Sequence, residues 1–159
     1  MNIQDLLRGF VQDYHLSDYP NFEVRGLSLD TKKVVKGDVF FAIKGQMHDG
    51  RAYLREAIER KACALIVERD NMAQFPLCLK APIPVIAIDN LHEKISEIAG
   101  RYYGDPSHDL TMIGITGTNG KTTSAHILAN AMTSLGQPCE VIGTLTQSLT
   151  TPDAITLQA

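Results

Sequence analysis

Long apolar runs are missing from this 159-residue chain, and none approaches the roughly 20 residues that a membrane span needs. Strong charge of one sign is missing too: 15 Lys and Arg stand against 18 Asp and Glu, for a net charge of −3. That balance excludes a broad basic face for nucleic acid, so neither a membrane nor a nucleic-acid partner is expected. The opening MNIQDLLRGF has neither the basic start nor the continuous apolar stretch of a secretory leader. It predicts a short amphipathic helix instead, with Ile3, Leu6, Leu7 and Phe10 on one side. Cysteine is scarce: Cys63, Cys78 and Cys139 are odd in number, widely spaced and without a CxxC pair. No zinc site follows, and reduced, partly buried thiols in a cytoplasmic protein are expected. Internal repeats and low-complexity segments are absent. What remains, 44% hydrophobic and 21% charged, is ordinary for a soluble globular protein with one good core or a small domain and part of another.

Along the chain, strands alternate with helices. EVRGLSLDT and GDVFFAIKG predict strands joined by a KKVVKGD turn, the second around the apolar run Val39 to Ile43. DGRAYLREAIERKA places Leu54, Ala57, Ile58 and Ala62 at helical spacing, with Asp49 positioned to cap the start. CALIVE and APIPVIAIDN predict two more strands, and LHEKISEIAGRYYG a helix through Leu91, Ile95, Ile98 and Tyr102. This alternation predicts an α/β fold with a largely parallel or mixed sheet. Residues 104–109 then sustain neither period and mark a domain boundary. Beyond it lie a strand LTMIGIT, a turn GTNG, a helix KTTSAHILANAMTSLG and a strand CEVIGT, the beginning of a βαβ unit. The tail has turn chemistry at Thr151-Pro152-Asp153 and a helix starting as the chain stops.

The stretch GITGTNGKTTSAHIL is built to hold phosphate. Unsatisfied N–H groups at a helix start attract anionic oxygens, and glycines let the backbone wrap closely around them. Gly114, Gly117 and Gly120 are spaced for that wrap, Lys121 would reach the terminal phosphates, and the Thr122 hydroxyl would bind Mg²⁺. Ile115 stands where the strict G-x-x-x-x-G-K-[ST] pattern has its first glycine. The apolar strand before the loop and the helix with Ile127 and Leu128 after it supply the context. Thr123 suits either the nucleotide or a first helical turn, and His126, one turn further, suits the surface or packing.

TGTNGKTT in this setting resembles the ATP site of the Mur ligase superfamily, which builds the peptidoglycan stem peptide. Leu29 to Ile58, LDTKKVVKGDVFFAIKGQMHDGRAYLREAI, is similar to the uridine-nucleotide-binding domain of its later-acting members. LTTPDAITLQ, Leu149 to Gln158, resembles the members that add the third residue, meso-diaminopimelate or L-lysine. The resemblance covers nearly the whole chain. It implies a small mixed-sheet UDP-substrate-binding domain over residues 1–103, a linker at 104–109, and the incomplete start of a P-loop ATPase domain over 110–159. It also implies that the chain is the N-terminal part of a three-domain cytoplasmic enzyme. Alternatives are the dipeptide-adding member and a non-catalytic UDP-sugar-binding module.

The resemblance also implies residue roles. Gly117, Thr118, Asn119, Gly120, Lys121, Thr122 and Thr123 would bind ATP, with Lys121 catalytic and Thr122 on Mg²⁺. Leu29 and Thr31 match a uridine-contacting segment, although Leu29 also suits a core strand. Lys32 matches a basic position that suits a phosphate or a solvated turn. Gln46, Met47 and His48 match a second uridine-contacting loop, flanked by Gly45 and Gly50. Thr150 and Thr151 match a pair near the diphosphate and sugar, or form a plain turn before Pro152. The implied reaction uses ATP to phosphorylate the D-glutamyl γ-carboxylate of UDP-N-acetylmuramoyl-L-alanyl-D-glutamate. The amino group of the incoming diamino acid then attacks the acyl phosphate. The amino-acid-selecting parts lie in domains this chain does not contain, so these 159 residues alone are expected to be inactive. The family has a longer excursion where LTQSL joins Thr144 to Thr150 here.

Overall fold

The computed structural model describes residues 1–11, 19–45, 48–143 and 153–159. Four strands, β1 (Gly26–Ser28), β2 (Asp38–Ala42), β3 (Ala64–Glu68) and β4 (Val85–Ile88), pair in sequence order into one sheet. Every pairing is parallel, so the mixed sheet expected for this domain is corrected to a parallel one. The cause lies in the connections, each of which carries the chain back through helical turns rather than a hairpin. Between β1 and β2 runs the 3-10 turn Thr31–Lys33. The turn Gly50–Tyr53 and helix α2 (Leu54–Glu59) join β2 to β3, and the turn Met72–Gln74 and α3 (Pro76–Lys80) join β3 to β4.

Strands β2 and β3 are buried along their whole length, which explains why the run around Phe40 is continuously apolar instead of alternating. The period of two still sorts the side chains into two layers. Val39, Phe41, Ile66 and Ile88 face α1 (Ile3–Leu7) and α4 (Leu91–Tyr103). Phe40, Ala42, Leu65 and Val67 face Leu54 and Ala57 of α2 and Cys78 of α3.

Polar groups fix the helix ends. Asn2 caps α1, its Oδ1 accepting the Asp5 N–H at 2.8 Å. At the other end of α1, the Arg101 Nη1 donates to the carbonyls of Leu6 at 3.2 Å and Arg8 at 2.6 Å, with the guanidinium 4.6 Å over the Phe10 ring. The buried Glu68 carboxylate accepts the Leu91 N–H that opens α4, at 3.1 and 3.2 Å. Gly104 closes α4 in the left-handed region at φ 82°.

Beyond residue 109, helix α5 (Lys121–Ser134) forms as the sequence predicts. The strands expected on either side of it do not. Residues 111–117 and 137–142 carry no strand assignment, and Met112 is 61% exposed. A strand needs a neighbour for its N–H and C=O groups, and no described strand lies beside either segment. The last helix, α6 (Ala154–Gln158), is capped by Asp153, whose Oδ1 accepts the N–H of Ile155 and of Thr156, both at 3.0 Å. It packs along α4 and buries Ile155 in the same cluster as Ile3 and Ile98. The tail thus returns to the first layer.

Candidate functional site

A cavity of about 410 Å³ opens at the carboxyl ends of β1 and β2. Open parallel sheets present ligand sites there, because the loops that leave the strands converge at that edge. Leu29, Thr31 and Lys32 line it from the first loop, and Gly45, His48 and Gly50 from the second. Three residues singled out from sequence, Leu29, Thr31 and His48, therefore share one space. Leu29 is half-buried: it packs against the core and also lines the cavity. Thr31 is 8% exposed and opens a 3-10 turn capped by Asp30, whose Oδ1 accepts the Lys32 N–H at 2.9 Å. The Ser28 hydroxyl donates to the Asp30 carbonyl at 2.8 Å and tightens the same bend.

The second loop is closed at its base and near its tip. The Gly50 N–H donates to the Ile43 carbonyl, and the Gly45 N–H donates to the His48 carbonyl, both at 2.9 Å. Both glycines are required by close backbone approach: a Cβ on Gly45 would lie 2.9 Å from the His48 oxygen, and one on Gly50 2.9 Å from the Ile43 oxygen. Asp49 caps the following turn, as expected, accepting the Arg51 N–H at 2.9 Å. Gln46, Met47, Thr150 and Thr151 lie outside the described residues. Sequence reasoning missed Phe40 and Tyr53 in the cavity wall. Phe40 belongs to the apolar run that predicts a core strand, whereas Tyr53, an aromatic five residues after His48, carries a signal the sequence offers.

The glycine-rich loop stands apart from this cavity. Gly117 (φ 150°) and Gly120 (φ 77°) take positive φ values, and Gly120 precedes the first residue of α5 with no side-chain cap. The first intrahelical bond runs from the Ser124 N–H to the Gly120 carbonyl at 2.9 Å. The N–H groups of Lys121, Thr122 and Thr123 therefore point out of the helix start. Lys121 folds back over the loop, its Nζ 2.6 Å from the Gly117 carbonyl and 3.4 Å from that of Thr118. A Cβ on Gly114 or Gly120 would meet nothing within 4 Å apart from its own chain neighbours.

A second cavity of about 560 Å³ runs along α5, between Ile113 and Ile115 on one side and Ile142 on the other, and Lys121 and Thr122 border it. His126 points into its wall half-buried, the packing side of its two readings, with Nε2 enclosed and unpartnered. Among the described residues, no group of three or more His, Cys, Asp or Glu side chains could hold a metal ion. No helix among them is long and apolar enough to cross a membrane. Cys63 is half-buried and Cys78 buried, but Cys139 is exposed, which corrects the expectation of three partly buried thiols. It lies on the segment that follows α5, at the edge of the second cavity.

The model of the Mur ligase family, catalytic domain, matches residues 23–103, and that of the Mur ligase middle domain matches residues 115–159. The UDP-N-acetylmuramoyl-L-alanyl-D-glutamate–2,6-diaminopimelate ligase of Coxiella burnetii is 42% identical over 144 residues, 85% of this chain and 29% of that protein. Its counterpart in Pseudomonas syringae is 39% identical over 86% of this chain and 29% of its own length. The chain thus spans under a third of the curated relatives it matches. A solved structure of such a diaminopimelate ligase superposes with a TM-score of 0.61 at 28% identity, covering 85% of this chain and 28% of that one. The MurF ligase of Thermotoga maritima, solved in complex with ADP, reaches 0.50 at 28% identity over 70% of this chain and 24% of its own. Matched by two successive models of that family over residues 23–103 and 115–159, the chain belongs to the Mur ligase family.

Proposed function

We propose that this chain is the N-terminal part of a cytoplasmic, ATP-dependent ligase of peptidoglycan precursor synthesis. The ligase joins a diamino acid to the D-glutamyl γ-carboxylate of UDP-N-acetylmuramoyl-L-alanyl-D-glutamate. Residues 1–103 hold the UDP end of that substrate, 104–109 link, and 110–159 begin the ATP-binding domain. The single observation that carries the reading is the convergence of Leu29, Thr31 and His48 on one cavity at the carboxyl ends of β1 and β2. The names of the curated relatives favour diaminopimelate over lysine as the incoming residue.

In this reading Leu29 and the cavity's aromatic walls cover the uracil ring, while Thr31 and His48 supply polar contacts and Lys32 faces phosphate. By resemblance, Gln46 and Met47 would contact the uridine, and Thr150 and Thr151 the diphosphate and sugar. Residues Gly117 to Thr123 suit a nucleoside triphosphate, since the helix start is uncapped and two glycines with positive φ lead into it. ATP, when bound, supplies the phosphoryl group that activates the carboxylate. Lys121, which contacts the Gly117 and Thr118 carbonyls, would reach the phosphate oxygens and offset their charge, and the Thr122 hydroxyl would hold Mg²⁺. The 159-residue chain alone forms no amide.

Calorimetric titration with UDP-N-acetylmuramoyl-L-alanyl-D-glutamate, and separately with MgATP, tests the proposal. Saturable 1:1 heat is expected for the first and weaker binding for the second. A chain that binds neither, or that binds the triphosphate alone, contradicts the assignment of residues 1–103.

A further inference from the structure

One buried cation lies behind the first cavity rather than in it. Arg51 is 3% exposed, and its guanidinium ties together two loops that are distant in sequence. Its Nε lies 3.0 Å from Asp49 Oδ1 and its Nη2 2.7 Å from Asp49 Oδ2. On the other side, Nη1 donates to the Glu68 carbonyl at 3.1 Å, to Asp70 Oδ1 at 3.1 Å and to the Asp70 carbonyl. The plane stacks on Phe75, 4.5 Å from the ring centroid. Lys44, on the opposite arm of the 43–50 loop, places its Nζ 3.5 Å from Asp70 Oδ2. Both arms of the loop that carries His48 are therefore tied to Asp70, just after β3.

We propose that Arg51 is a positioning residue for nucleotide binding, holding Gly45, His48 and Gly50 in the cavity wall without touching the ligand. The proposal rests on reading that cavity as the uridine-nucleotide site. A loop held in its binding shape loses less conformational entropy when the ligand arrives, so the anchor shows in affinity. The guanidinium is the group the geometry requires, because a planar fork reaches Asp49 and the 68–70 backbone at once. A lysine ammonium reaches only one of them. Buried networks of this kind lose much of their worth when a single member is shortened.

The test uses this chain with Arg51→Lys, His48→Ala, the double variant, and Ile66→Val as a purely structural control. Two readouts are taken well below the unfolding temperature. The first is hydrogen exchange at the Gly45 and Gly50 amides, with the Cys63 and Leu65 amides, bonded to the Asp38 and Pro84 carbonyls, as internal reference. Arg51→Lys is expected to speed exchange at both glycines about tenfold and leave the reference amides unchanged. The second readout is the dissociation constant for UDP, expected to rise about tenfold in Arg51→Lys. Added to His48→Ala, the same change is expected to weaken binding by less than about twofold, because its effect passes through the loop already disabled. Ile66→Val lowers the unfolding temperature and leaves UDP affinity alone. Unaltered glycine exchange in Arg51→Lys, or a loosened loop with unaltered UDP affinity, overturns the proposal. Failure of the unmodified chain to bind UDP overturns the nucleotide reading and the affinity role with it, while the exchange result still decides whether Arg51 anchors the loop.

Discussion

Gly26 meets Asp38 across the first strand pair so closely that a Cβ on the glycine would stand 2.6 Å from the carboxylate Oδ1. Asp38 is itself buried, and its Oδ2 accepts the Val35 N–H at 2.9 Å, closing the turn into β2. Gly26→Ala is therefore expected to cost about 1–3 kcal/mol by overpacking a site that cannot relax without losing that bond. Urea denaturation checks this. A loss below about 0.5 kcal/mol would show that Asp38 is free to move.

Acid should weaken the loop anchor. The hydrogen bond from the Arg51 side chain, stronger here than the opposing effect of burial, holds the Asp49 carboxyl below its usual range. A carboxylate whose pKa is lower in the folded chain contributes stability that is present above the unfolded value and lost as pH falls through the folded one. The contribution is expected in full at pH 7 and to fade from about pH 5 downwards. Asp49→Asn should cost about 2 kcal/mol at pH 7 and flatten the acid limb of stability against pH. Parallel acid limbs in the two proteins would refute the pairing.

The three thiols should separate by accessibility. Cys139 is exposed, whereas burial pushes the Cys63 and Cys78 thiols up. The Cys63 thiol also lies 3.1 Å from the Gly37 carbonyl. Native labelling with a disulfide reagent near pH 8 is expected to modify one cysteine quickly and two only on unfolding, read by peptide mass. Rapid modification of Cys78 would contradict the α2–α3 layer described above.

Truncation of Ile155 tests whether the tail truly belongs to the first layer. Ile155→Ala is expected to destabilise the chain by about 2–4 kcal/mol, because the side chain is 5% exposed within the core cluster. An unaltered unfolding midpoint would mean that α6 does not dock on α4 in solution.

Most of the sheet and its longer helices were legible in the sequence. The apolar run at Val39 to Ile43, the spacing of Leu91, Ile95 and Ile98, and the uncapped glycine start of α5 each carry a local signal strong enough to fix an element. Neighbours in space were not legible. Arg51 reads as one basic residue on an amphipathic turn, and nothing local tells that Glu68 and Asp70 lie beside it. The same holds for Ile155, which shares a core cluster with Ile98, more than fifty residues away in sequence. The segments around Ile113 and Ile142 have strand-like composition, yet composition supplies only one edge of a ladder. Leu29, Thr31 and His48 were found through motif resemblance, and their convergence needed the fold.

Mapping UDP onto the backbone amides by NMR titration probes the central claim most directly. The account predicts saturable shift changes at Leu29, Thr31, Gly45, His48 and Gly50, with those of α5 unmoved and the response lost in His48→Ala with Thr31→Val. Shifts that gather around Lys121 and leave the first cavity silent would contradict it.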